Sequence, residues 1–294
     1  MRWVTAATVL VLGLLALACD DATSDPPDPT ATVAADDAVD ELGLPVYPAA
    51  PPVTPADTTT GVAELQWWGQ SLFILMSPRG GQIAMDPYGD IGYRVHDGFV
   101  GIVTVSHDHP DHNNVELLGH NILLRGLTDE GWAQIDERPT GGVRIRTVPS
   151  WHDESRGAER GRNAIFVFET GGMRIVHLGD LGHALTQAQI DAIGPVDLLL
   201  VPVGGFFTID AAGATAVVEQ LAPRVVIPMH YKTDSVTIPQ LAPVDAFLEG
   251  KEVVEMSSNS TSSLGTPRAV DLLAEDLPSR GSAVVWLLQP VGAQ

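Results

Sequence analysis

Short apolar runs rich in β-branched residues recur from about Val62 onward, and several of them stop at a histidine or an aspartate. Gly101-Ile102-Val103-Thr104-Val105, the alternating Val143-Arg144-Ile145-Arg146-Thr147-Val148, Arg174-Ile175-Val176-His177-Leu178 and Val225-Val226-Ile227-Pro228-Met229 read as strands. Residues 163–170 and 173–178 read as a hairpin turning at Gly171-Gly172. Helices are predicted over 114–118, 186–193, 211–221 and 244–248. Strands and helices so interleaved, over a stretch long enough for one large core, predict a single α/β domain at 61–294.

The first sixty residues follow a different pattern. Arg2 precedes an unbroken apolar stretch from Val9 to Ala18, and Leu15-Ala16-Leu17-Ala18-Cys19 fits a bacterial lipobox. Residues 1–19 therefore read as an export signal too short for a comfortable transmembrane helix, with Cys19 as the lipidated first residue of the mature chain. The rival reading is an ordinary cleaved signal with a stray cysteine, the one cysteine of the chain. Residues 20–60 are mostly Asp, Pro, Ala and Thr, which predicts a disordered tether between membrane and domain. Its proline-rich part, Pro45 to Pro52, offers the alternative of an extended arm packed along the domain.

A formal net charge of −21 argues against nucleic acid as a partner, because phosphate backbones are bound by basic grooves. Arg144, Arg146, Arg156, Arg160 and Arg162 still gather in sequence around His152, either as a local anion-binding rim or as solvated charge.

Candidate chemistry concentrates in Ser106-His107-Asp108-His109-Pro110-Asp111-His112, three imidazoles and two carboxylates at a strand end. Histidine is the commonest nitrogen ligand for zinc, and a tight loop can turn these side chains toward one pocket with room for two cations. His152, Asp180 and His230 follow in order, each just past a β-branched run.

The His-x-His-x-Asp-His spacing and these later residues resemble the metallo-β-lactamase superfamily, which implies a four-layer αβ/βα sandwich. The resemblance implies one metal held by His107, His109 and His152, and a second by Asp111, His112 and His230, with Asp180 bridging. Asp86, in Gln82-Ile83-Ala84-Met85-Asp86-Pro87, would brace the metal loop without ligating, unless it is a plain Asp-Pro turn. Trp68 to Phe73, Leu178 to His183, Pro202 to Asp210 and Ile227 to Thr233 are most similar to the branch containing L-ascorbate-6-phosphate lactonase, although many of its members have histidine where Gln70 stands. The likeness is specific for fold and metal site and does not carry the substrate.

Two divalent ions, zinc by the imidazole-rich set or manganese as substitute, would activate a bridging hydroxide. The expected enzyme is a membrane-tethered hydrolase of a small-molecule ester, lactone or phosphoester. Di-iron oxygen-reducing relatives typically carry Glu where His109 stands. The alternatives are a phospholipid-directed phosphodiesterase, which needs an apolar groove beside the metals, and a non-catalytic metal- or solute-binding lipoprotein. Asp111, Asp180 and His183 are the candidate catalytic residues, His183 as a donor to substrate or leaving group. Asp108 reads as a loop cap or proton acceptor, His177 as a strand residue, and Asn163, Tyr231 and Lys232 as pocket-edge candidates. Specificity is expected in loops 90–99, 125–142 and 204–210.

Overall fold

The computed structural model describes residues 38–53, 61–94, 96–139, 141–256, 262–263, 265–281 and 283–292. The export signal, Cys19 and the start of the tether lie outside the described residues. Two mixed sheets form the body. The first contains β1 (Ala63–Gly69), β2 (Leu72–Met76), β3 (Gln82–Met85), β4 (Ile102–Val105) and β5 (Ile122–Arg125) in that order, with β13 (Val270–Leu272) on the free side of β1. The second contains β6 (Asp136–Glu137), β7 (Arg144–Trp151), β8 (Arg162–Thr170), β9 (Met173–His177), β10 (Leu198–Pro202) and β11 (Val225–Met229), then β14 (Val284–Leu287) and β12 (Val253–Glu255). β8 and β9 form the expected antiparallel hairpin, whereas β9, β10, β11, β14 and β12 run parallel.

Alternation sorts the first sheet's side chains into two layers. Leu65, Trp67, Phe73, Leu75, Ile83 and Met85 join one core cluster with Phe166, Phe168, Leu200 and Ile227 of the second sheet. Trp68, Leu72, Ile74, Ala84, Val103 and Val105 belong to a second cluster with Tyr88, Tyr93, Leu118 and Leu241. Among the described residues, the outer layer of the first sheet is loops and one short turn. On the second sheet, α1 (Gln187–Ile193) packs against β7 and α2 (Ala211–Leu221) against β10, and α3 (Asp245–Leu248) packs on α2. α1 begins with a reciprocal capping box between Thr186 and Gln189. The helix expected over 114–118 is a 3-10 turn, Val115–Leu117. Its few residues end at Gly119, and a segment that short cannot offset the cost of helix nucleation.

Residues 38–53 correct the expectation of a free tether and adopt the packed-arm alternative. Leu44 is fully buried, worth about 1.5–3 kcal/mol, and Tyr47 is nearly so. Polar contacts fix the path: Trp151 Nε1 donates to Leu42 O (3.1 Å), Thr186 Oγ1 to Asp40 Oδ2 (2.7 Å) and Arg174 Nη2 to Pro51 O (2.7 Å). Among the described residues no helix is long and apolar enough to cross a membrane.

Arg144 and Arg146 are neither rim nor solvated charge. Both are buried against Glu169, which also takes Arg174 at 2.7 Å, so these guanidiniums neutralise an interior carboxylate.

Candidate metal centre

β4, β7, β9 and β11 all release their carboxyl ends toward the same side of the molecule, the edge at which open α/β sheets place ligands. Past those ends come the 106–112 loop, His152, Asp180 and His230, so residues far apart in sequence meet. The ligating atoms form two groups, each within 4.8 Å: His107, His109 and His152, then Asp111, His112, Asp180 and His230. His107 Nε2 lies 3.1 Å from His109 Nδ1. Asp180 touches both groups, with Oδ2 at 3.1 Å from His152 Nε2 and 3.3 Å from His230 Nε2, and Oδ1 at 3.1 Å from His112 Nε2. His112 Nε2 also lies 3.5 Å from Asp111 Oδ2.

The set fits divalent ions. His112 Nε2, His230 Nε2 and Asp180 Oδ1 are buried and face one another at ion-pair distance without a well-formed hydrogen bond, an arrangement that a shared cation would satisfy. Burial and the neighbouring imidazoles hold His107 and His109 below the usual imidazole pKa, so both stand as neutral ligands. Burial opposes charge on His112 and His230 too, but Asp180 and Asp111 outweigh it. His112 is pushed well up and His230 rises to about 9. The same attraction, against burial, keeps Asp180 and Asp111 below the usual carboxylate range.

Behind the rings, Asp86 occupies the bracing position. Its Oδ2 lies 3.0 Å from His112 Nδ1 and accepts from Ser106 Oγ at 2.5 Å, while its Oδ1 accepts from Ser106 N–H. Ser106 Oγ in turn lies 2.9 Å from His107 Nδ1. Each Nδ1–H is thereby held, which leaves the Nε2 lone pairs of His107 and His112 facing the centre. Asp86, His107 and His112 lie close enough to form a third grouping, yet the contacts of Asp86 assign it to support. Replacing Asp86 with alanine is expected to weaken metal affinity by about 10–100-fold while ions supplied in excess still bind. Chelator competition measures this, and an affinity within twofold of the parent protein would remove Asp86 from the role.

Asn163 does not stand at a pocket edge. It is buried, donating to Ser150 Oγ and Leu178 O and accepting the Asp180 N–H at 3.0 Å, so it sets the turn that carries Asp180. The turn bends at Gly179 (φ +55°), where a Cβ would fall 2.8 Å from Ser106 Cβ. Tyr231 packs on Trp67, and Lys232 Nζ donates to Val236 O, so neither reaches the centre. His177 is structural: Gly179 N–H donates to its Nδ1, and its Nε2 contacts Ser71 O at 2.9 Å. Asp108 is exposed and accepts from Asn113 and Arg125, the capping alternative.

His183 is a correction. Trp151 N–H donates to its Nε2 at 3.0 Å and its Nδ1 pairs with Ala184 O at 2.7 Å, so backbone partners occupy both nitrogens. Burial also lowers its pKa. A ring so committed has no proton to give a leaving group, and its work is to lock the end of β7 that aims His152.

Two residues without an assigned role belong to the centre. Gln70, fully buried with φ +48°, donates from Nε2 to Asp111 Oδ2 at 3.0 Å, and its carbonyl accepts the His230 N–H. Ser106 is the other, linking Asp86 to His107. A serine or glutamine has no spacing signature, so only its adjacency to the histidine run and the tight Gly69-Gln70 turn point to either.

A cavity of about 380 Å³ opens beside His152. Its walls come from the 153–160 turn and residues 206–210, including Glu154, Arg160, Phe206, Phe207 and Asp210. Of the loops expected to set specificity, 204–210 contributes to it. The 153–160 turn is the other wall, folded around Asp153, whose carboxylate accepts from the backbone of Ser155, Gly157, Glu159 and Arg160.

The family model described as Beta-lactamase superfamily domain matches residues 64–230. The chain is 31% identical over 196 residues to a UPF0173 metal-dependent hydrolase of Hyperthermus butylicus, covering 58% of this chain and 83% of that one. It is 29% identical over 254 residues to a UPF0173 metal-dependent hydrolase of Polynucleobacter asymbioticus, covering 70% and 88%. Among solved structures, a Thermotoga maritima protein described as a Zn-dependent hydrolase of the metallo-β-lactamase superfamily superposes with a TM-score of 0.55 at 33% identity, over 77% of this chain and 100% of that one.

Proposed function

The chain belongs to the UPF0173 metal-dependent hydrolases of the metallo-β-lactamase superfamily, and from that premise we propose that it cleaves a small ester or lactone at a two-metal centre. The observation that carries the proposal is the convergence of seven side chains from four strand ends into two groups that share Asp180. His107, His109 and His152 would hold one ion, and Asp111, His112 and His230 the other, with Asp180 facing both. Bound there, divalent ions supply Lewis acidity and lower the pKa of water toward neutrality. The chain supplies the rest. Asp86 and Ser106 fix the tautomers, Gln70 orients Asp111, and Asn163 holds the Asp180 turn. Five imidazoles favour zinc, with manganese as the substitute.

The cavity beside His152 supports an ester or lactone over a phosphoester. Carboxylates dominate its lining, and such a wall repels phosphate. The same lining speaks against a phospholipid-directed phosphodiesterase, which requires an apolar groove. A non-catalytic binding role leaves unexplained why a cavity opens beside His152, one ring of the centre. Within the superfamily, Trp68 to Phe73 and Ile227 to Thr233 support a place near the L-ascorbate-6-phosphate lactonase branch, and Gln70 supports a different substrate. The lipobox ending at Cys19 supports attachment to a bacterial envelope membrane, with residues 20–37 between the anchor and the docked arm.

Elemental analysis after dialysis against metal-free buffer, beside the His109→Ala variant, tests the proposal together with a screen of esters, lactones and phosphodiesters. About two equivalents of zinc or manganese, reduced in the variant, with turnover of esters or lactones, is the expected result. Iron would redirect the reading to redox chemistry, and absence of metal after reconstitution would favour the binding role.

A further inference from the structure

The cavity beside His152 has features the hydrolase reading does not use. Phe206 and Phe207 stand at its wall with ring planes 77° apart and centroids 4.7 Å apart, which makes an aromatic corner. Phe206 is 61% exposed and sits at φ +58°, a backbone conformation that bulky side chains rarely adopt. An exposed aromatic ring held in a disfavoured conformation at a cavity wall marks a functional constraint. The corner already attracts a cation: the Arg160 guanidinium lies 5.9 Å from one ring centroid and 6.0 Å from the other.

The charges around the corner are mostly negative: Asp153, Glu154, Glu159 and Asp210 against Arg160. Arg160 is the single cationic side chain of the wall and is paired with Glu159 at 3.3 Å. Among the described residues Glu154 has no cationic partner, and Asp210 accepts a backbone N–H at the start of α2. The Asp153 carboxylate, also on the wall, is fixed by the backbone N–H groups of Ser155, Gly157, Glu159 and Arg160. A molecule whose reacting group sits at the cationic metal end would therefore place its far end against π faces and carboxylates. His152, a ring of the centre whose Nδ1 is buried and unpartnered, lines the same cavity and so places it next to the centre.

Resting on the hydrolase reading, we propose that this cavity is the subsite for the non-reacting end of the substrate and that it selects esters or lactones carrying a cationic ammonium group there. Phe206 and Phe207 supply the faces, and Glu154 and Asp210 supply the field. Arg160, free to swing away with its Glu159 partner, occupies the corner until a substrate cation displaces it.

The test uses probes that cannot ligate a metal. Binding of phenylbutyl-trimethylammonium and of its neutral tert-butyl isostere to the metal-loaded full chain is measured by calorimetry at low salt. Hydrolysis of a trimethylammonioethyl ester and of the 3,3-dimethylbutyl ester of the same acid is measured in parallel. The cation is expected to bind about tenfold tighter than its isostere, and its ester to show a kcat/KM higher by a similar factor. Phe206→Ala and Glu154→Gln should each shrink both ratios, with metal content unchanged as the check on folding, and added salt should shrink them further. Equal binding of the two probes with equal turnover of the two esters would overturn the subsite and leave the hydrolase reading standing. Cation-selective binding without turnover of either ester would overturn the hydrolase reading and keep the subsite's selectivity.

Discussion

Asp180→Ala should lose both metals and activity together, with turnover falling by about a thousandfold or more. No other side chain of the centre contacts imidazoles of both groups through two oxygens. Its removal leaves five histidines with only Asp111 to balance bound cations, so the loss exceeds that of one ligand among several. Asp111 meets His112, His230 and Gln70, so Asp111→Ala should lose the second ion preferentially and retain part of the first. Metal analysis of the two variants separates these outcomes. Two retained equivalents in Asp180→Ala, with native circular dichroism, would show that the centre lies elsewhere.

That contrast rests on positions legible in the sequence, because a ligand must be a His, Asp, Glu or Cys and must follow a strand to share an edge with the others. His107, His109, Asp111, His112, His152, Asp180 and His230 all satisfied both conditions, and the structure draws their ligating atoms together. Two of the strands read from the sequence were legible for a related reason: β8 and β11 are buried on both faces and carry continuous apolar runs. Residues that act by orienting others left weaker signals. Gln70 and Ser106 are ordinary polar residues until the fold brings one to Asp111 and the other between Asp86 and His107. His183 misled in the opposite direction, since proximity to Asp180 in sequence says nothing about which way a ring faces beyond a turn. Trp151 and Ala184 claim both of its nitrogens.

The arm was the other place where composition and structure diverged. Proline, alanine and aspartate across 20–60 predict disorder on average, but Leu44 and Tyr47 provide two apolar anchors within the docked part. Its carbonyls meet side chains that flank the centre: Trp151 directly precedes His152, and Arg156, in the turn that walls the cavity, donates to Glu41 O at 2.8 Å. The arm is therefore hydrogen-bonded both to the residue before His152 and to the turn that walls the cavity.

Removing metal should expose the second large effect, a stability gap between loaded and stripped protein that widens as pH rises. At free metal about a thousand times Kd, one bound ion adds about 4 kcal/mol, which for a domain of this size corresponds to a shift in Tm of about 10 °C. In the stripped chain, His112 and His230 carry protons that pair with Asp180 and Asp111, and their pKa values are raised above that of an unfolded histidine. A raised pKa stabilises fully below about 6.5 and loses that contribution as pH climbs through the folded value, about 9 for His230. The stripped protein should therefore lose stability from pH 6.5 to 9. Metal binding needs both rings neutral, so at pH 7 it must release about two protons, and its affinity grows over the same interval. His107 and His109, already neutral, add nothing to that release. Thermal melts with and without chelator at pH 6, 7.5 and 9, with calorimetry in buffers of different ionisation enthalpy, read both quantities. A gap that stays constant with pH, or metal uptake without proton release, would mean that the second group does not hold the ion.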